Sequence, residues 1–150
     1  MEGNCDKRII MKKRLELWGS AHELCIKKQE EIKRVKRLIK QAGDIKGRTF
    51  SSLPKSGVVS DPTYKAVELI IDEYEKEISD AAESVEKIIQ EKNLIDSYLD
   101  RLSPDEAKII FYKYRKKLSP DSLAIIMNVS RSHSYRILNS TIDKLIELAV

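Results

Sequence analysis

Ser130, Arg131, Ser132, His133, Tyr135, Arg136 and Asn139 stand within ten residues near the end of the chain. They combine two guanidinium forks with hydroxyl, imidazole and amide groups. In a helix beginning at Ser130, these side chains share the outward faces while Ser134 and Ile137 turn inward. Such a row suits one kind of chemistry. It reads acceptor-rich edges: arginine pairs bidentately with guanine N7 and O6 or with phosphate oxygens, and amides and hydroxyls make secondary contacts. A helix N-terminus, with its unused N–H groups, adds a place for a phosphate. Lys113, Arg115, Lys116 and Lys117 lie just upstream; Lys116 and Lys117 in particular extend the basic surface toward a flanking backbone.

Other chemistry is missing from the pattern. His22 and His133 are isolated, and Cys5 and Cys25 lack metal-ligand spacing. Cys25 falls on an apolar stripe as a small buried hydrophobe, and Cys5 lies in an end expected to fray. The carboxylates Asp72, Glu73, Glu75, Glu77, Asp80, Glu83 and Glu86 are spread around a helix as a solvated face. With no nucleophile–base pair, metal cluster or phosphate loop, the chain reads as a non-enzyme with no cofactor and no metal.

The elements that must position the polar row are legible upstream. Ser119 and Pro120 start a helix, Leu123, Ala124 and Met127 form its apolar face, and Asn128 takes the left-handed turn. Val129 fills the gap between two helices and Ser130 caps the second. Ala124 occupies the small-residue position where the helices touch, and Ser134 stands where a branched apolar residue is usual. Ser103 with Glu106 forms a capping box before Ala107, Ile110, Phe111 and Tyr114. The last third is thus three helices, Ser103–Lys117, Ser119–Met127 and Ser130–Leu148.

The first two thirds carry heptads. Met11, Trp18, Cys25, Ile32 and Ile39 form one row, and Ala21, Val35 and Ala42 another, broken by Lys28. They predict a helix over Lys7–Ala42, about 54 Å long, passing through Gly19, although Ser20 and Glu23 could restart it. Gly43–Ser60, with Gly43, Gly47, Pro54 and Gly57, reads as a loop. Asp61 caps and Pro62 opens a second helix to about Asp100, roughly 57 Å. Its rows are Tyr64, Ile71, Ile78, Val85 and Val67, Tyr74, Ala81, Ile88, Ile95.

Residues 1–48 carry fourteen basic and seven acidic side chains, whereas residues 61–102 carry five and twelve. Equal and opposite nets of +7 and −7 favour pairing of the two helices with each other. The expected architecture is therefore all-α: a long antiparallel, coiled-coil-like helical hairpin over 1–102, with its loop at 43–60, then a three-helix helix-turn-helix domain over 103–150. The hairpin offers a surface for a homodimer. The net charge of +4 is too small to imply nucleic acid by itself; residues 103–150, net +3, concentrate it where the motif lies. No apolar run nears the roughly 20 residues of a membrane span, and Lys7, Arg8, Lys12, Lys13 and Arg14 interrupt any signal-peptide core. A cytoplasmic location in a bacterial host cell, with no membrane partner, is expected.

The run from Leu102-Ser103-Pro104-Asp105-Glu106 through SLAIIMNVSRSHSYRILNSTIDKL resembles region 4 of sigma-70-type factors over about a third of the chain. The layout also resembles the RinA/ArpU-like late-gene regulators of phages and prophages of Gram-positive bacteria, including the Gly57…Ser60-Asp61-Pro62-Thr63 opening. These resemblances imply a DNA-binding transcriptional regulator, an activator of phage or prophage genes. Its last helix would lie in the major groove of double-stranded DNA, with RNA polymerase as a further partner. A counterpart of the promoter-melting sigma region 2 is missing. Two other readings stand beside this one: a small terminase-like DNA-packaging protein, in which the DNA-binding part usually comes first, and a helical protein–protein adaptor.

Overall fold

A computed structural model describes residues 2–51 and 62–150, with side chains for residues 3–44 and 64–150. Among the described residues it is all-helical, with no strand. The order is α1 (Glu2–Ser51), α2 (Pro62–Leu99), α3 (Pro104–Ile110), a π-helical turn (Phe111–Arg115), α4 (Pro120–Met127) and α5 (Arg131–Leu148).

α1 corrects two expectations. It starts before Lys7, so Cys5 is an exposed residue of a helix and not of a frayed end. The helix also continues past Gly43 to Ser51, so residues 43–51 are helical, not loop. One interior glycine costs only about 1 kcal/mol, and Ile45, Lys46 and Arg48 resume helix-compatible sequence. The remainder of the expected loop and the Asp61 cap lie outside the described residues.

The chain divides into two compact units, Met1–Leu24 with Ile88–Val150, and Cys25–Lys87. The first unit takes in the ends of both long helices together with α3, α4 and α5. Their side chains explain this. Met11, Leu15, Trp18 and Ile95 share one buried cluster with Ile109, Ile110, Tyr114, Leu123, Leu138, Ile142 and Leu145. A three-helix domain alone would leave much of this surface in water, and each fully buried Leu or Ile contributes about 1.5–3 kcal/mol. Leu15 lies outside the heptad rows. It completes an i, i+4, i+7 stripe with Met11 and Trp18, while Arg14, at the nominal seam position, turns to Glu91 at 2.5 Å.

Within this larger unit, caps start the short helices. The Ser103 hydroxyl accepts from Glu106 N at 3.3 Å, and the Glu106 carboxylate accepts from Ser103 N at 3.3 Å, completing the capping box. Pro104 follows at the first helical position. The predicted Ser103–Lys117 helix changes character midway. Beyond Ile110 it widens into the π turn, where Lys116 N donates to Phe111 O at 3.1 Å. Lys117 then takes φ 54.

Gly19 lies against this turn. A Cβ there would stand 2.1 Å from Tyr114 O and 2.6 Å from Tyr114 C, so backbone meets backbone. α1 passes through Gly19 without a restart because the glycine serves packing, not termination. Beside it, Trp18 Nε1 donates to Asp96 Oδ1 at 2.8 Å, and Lys92 Nζ donates to Asp96 Oδ2 at 2.8 Å. Arg115 stacks its guanidinium 4.8 Å from the Trp18 ring centroid. Tyr114 is buried, and burial, with the Glu16 charge acting in the same direction, pushes its hydroxyl up to about 12.

In the Cys25–Lys87 unit the heptad rows account for burial. Val35 and Ala81 are buried, while Ile32, Ile39, Ala42, Tyr64, Val67, Ile71, Tyr74, Ile78 and Val85 are half-buried. Cys25 is half-buried rather than enclosed. Lys28, which breaks a row, reaches Glu31 at 3.4 Å, and Lys87 reaches Glu83 at 3.2 Å. Both pairs join residues of one helix.

Candidate nucleic-acid interface

α4 and α5 meet through a three-residue turn whose shape follows from its residues. Ser119 caps α4, its hydroxyl accepting from Ser122 N at 3.2 Å. At the other end Asn128 takes φ 54 and ψ 45, the left-handed conformation that asparagine tolerates better than most residues. Val129 N returns to Ala124 O at 3.1 Å, closing the helix end. Ser130 then caps α5, its hydroxyl accepting from His133 N at 3.1 Å. Leu123 and Ala124 are buried on the α4 side, and Met127 and Val129 are half-buried.

α5 sorts its side chains by face. Ser134, Leu138, Thr141, Ile142 and Leu145 are buried at helical spacing. Ser134 does occupy an interior position, 2% exposed, and its hydroxyl donates to Arg131 O at 2.7 Å. Thr141, fully buried, donates to Ile137 O at 2.7 Å. A hydroxyl can replace a branched apolar side chain here because its one donor finds a carbonyl. The expected core residue Ile137 is half-buried, and Leu138 takes the deeper place. Counting back by four and seven from Ile142 and Leu145 would have found it.

The opposite face carries the candidate contacts. Ser130, Arg131, Ser132, His133, Tyr135 and Arg136 are exposed together, as are Lys116 and Lys117 on the preceding segment. Asn139 is half-buried, further from open solvent than the sequence suggested. The upstream basic residues are not equivalent. Lys113 is half-buried, Arg115 is engaged with Trp18, and Lys116 Nζ sits 5.8 Å from the Phe111 ring centroid.

Charge pairs fix α5 from behind. Arg8 makes a two-point contact with Asp143, 2.7 Å from Nε to Oδ1 and 2.6 Å from Nη2 to Oδ2. Lys144 Nζ lies 2.8 Å from Glu106 Oε2. Arg8 holds the Asp143 carboxyl below its usual range, and Lys144 does the same for Glu106. On the outward face Arg131 Nη1 approaches Asp121 Oδ1 at 3.4 Å. The Arg131 guanidinium is raised further by its hydrogen bond to Tyr135, then by the charge of Asp121. The sequence pattern marks Asp121 only as part of the Ser119-Pro120-Asp121 helix start, not as a partner of Arg131.

Chemically, this surface offers fixed donors, two guanidinium groups and a helix N-terminus, which together suit an anionic, acceptor-rich partner. Among the described residues no three His, Cys, Asp or Glu side chains are placed to hold a metal ion, and no helix is long and apolar enough to cross a membrane. Comparison with protein-family models, with curated proteins and with solved structures found no match to this chain.

Proposed function

We propose that the chain is a sequence-specific DNA-binding regulator of transcription, an activator of phage or prophage genes, and not an enzyme. In this reading α4 and α5 form a helix-turn-helix, and α5 lies in the major groove of double-stranded DNA. The long helices pair through their seams as an antiparallel hairpin that serves a second copy or RNA polymerase. The resemblance to sigma region 4 and to RinA/ArpU-like regulators points the same way.

The observation that carries the reading is the pairing of a left-handed Asn128 turn with a two-faced α5. One face of α5 is buried to the last hydroxyl, and the other presents Arg131, Ser132, His133, Tyr135 and Arg136 in a row. Any packed surface helix is polar on its outer face; here that face carries two arginines directly after a capped helix start.

Selection of bound duplexes from a random pool, followed by titration of the enriched site, tests it. The wild-type chain is expected to enrich one motif. Arg131→Ala and Arg136→Ala should each weaken that site by about 1–3 kcal/mol and relax one base position. Lys116→Ala should weaken all sequences alike and reduce the salt slope by about 0.9. A chain that enriches no motif and shows no affinity at low salt would refute the reading.

A further inference from the structure

Asp121 is an anomaly on a surface that would face phosphates. It is the second residue of α4, its side chain 75% exposed, and its Oδ1 lies 3.4 Å from Nη1 of Arg131, the first residue of α5. A carboxylate there works against affinity for a polyanion. It also adds little to folding, because an exposed ion pair loses most of its attraction to water. As a first-turn acid it complements the α4 dipole, and its approach to Arg131 gives it a second effect.

The guanidinium is a planar fork with five donors. Its Nη1 is turned to Asp121, and Tyr135 lies one helical turn on along α5. An acceptor on the neighbouring helix restricts where the group can lie. The donors left over form a fork that fits a partner with two adjacent acceptors. In the major groove guanine, with N7 and O6, is the base that supplies them. A free arginine at this position would instead swing to the nearest phosphate, which attracts it more strongly at a distance. The carboxylate weakens that alternative by neutralising the guanidinium locally and by repelling phosphate oxygens.

We propose that Asp121 is a specificity-determining positioning residue: it holds Arg131 for a guanine edge and away from the phosphate backbone. The inference rests on the DNA-reading function above, and its test separates the two. Affinities for the selected site, its single-base variants and random duplex are measured against salt for wild type, Asp121→Asn, Arg131→Ala and the double variant. Asp121→Asn should lower the preference for guanine about tenfold at the one position that Arg131→Ala also relaxes. It should tighten binding to random duplex and steepen the salt slope by about 0.9, the signature of one added phosphate contact. In the Arg131→Ala background it should leave the guanine position unchanged and tighten random duplex only slightly, by the loss of the carboxylate's own repulsion. Tyr135→Phe should shift the same position more weakly.

If wild type selects a motif and Asp121→Asn leaves that position and the slope unchanged, the inference falls and the DNA reading stands. If Asp121→Asn relaxes a different position, Asp121 reads a base of its own and the inference falls. If wild type selects nothing, the DNA reading falls and takes the inference with it. Unchanged thermal unfolding of Asp121→Asn excludes a folding defect as the cause.

Discussion

α1 is held in two different ways along its length. From Met11 to Ala21 it is buried on one side by bulky residues, and Met11, Leu15 and Trp18 are at most 3% exposed. Trp18 donates to Asp96, Arg14 pairs with Glu91, Arg8 grips Asp143, and Gly19 touches the backbone of the π turn. From Cys25 onward the same helix keeps its heptad rows, yet among the described residues of that unit only Val35 and Ala81 are fully buried hydrophobics. A seam alone covers half of each side chain. A core with helices on several sides covers all of it and locks orientation with directed polar contacts. Similar helical sequence therefore makes a tightly specified unit at one end and a looser one at the other.

The largest expected break in this contrast is Leu15→Ala. Leu15 is fully buried, so urea unfolding should report a loss of about 4 kcal/mol, within the usual range for core truncation. Ile32→Ala, half-buried in the other unit, should cost roughly half as much because less area leaves water. Equal losses would erase the distinction between the units.

Next is a pair of identical substitutions with opposite signs. Gly19→Ala drives a Cβ into the Tyr114 carbonyl, which is backbone and cannot swing aside; it should destabilise by about 3 kcal/mol. Gly43→Ala meets nothing within 4 Å and should stabilise by about 0.5–1 kcal/mol through helix propensity. Circular dichroism melts of the two variants decide it.

Trp18→Phe should cost about 1–2 kcal/mol, since it removes the indole donor from a charged acceptor that Lys92 still holds. The effect should shrink in Asp96→Asn, where the acceptor is no longer charged.

The smallest effect is acid sensitivity. Asp143 and Glu106 lie below their ordinary values of 3.8 and 4.5, held there chiefly by Arg8 and Lys144. A folded-state value below the unfolded one means stability that is fully present above the ordinary range and is lost as pH falls through the lowered values. Both groups are accessible enough that water screens much of the gain. Asp143→Asn should therefore lower the neutral plateau slightly and leave the acid end nearly unchanged, which flattens the acid limb of stability against pH.

Much of the candidate site is legible in the sequence. Ser103, Ser119 and Ser130 as caps, Asn128 as the left-handed turn and the exposed Arg131–Arg136 face depend on neighbours within a few residues, and each lies where the pattern placed it. The misses were of another kind. The loop expected from Gly43 failed because glycine is a weak breaker on an open helix face. Motif spacing points to Ile137, whereas helical phase from Ile142 and Leu145 points to Leu138, which is the buried one. Asp121 is legible as part of a helix start but not as the neighbour of Arg131, because that residue lies on another helix.

The amino-acid sequence by itself determined the all-helical class, the starts of the short helices, the turn at Asn128 and the apolar seams of α1 and α2. These are properties of local backbone preference and of residue period, which need no distant partner. Tertiary structure alone decided that residues 1–24 and 88–102 share a unit with α3, α4 and α5, that Gly19 admits a backbone, that the third helix widens at Phe111, and that Asp121 reaches Arg131. Each of those depends on groups far apart along the chain that meet only after folding, and residue spacing carries no record of such a meeting.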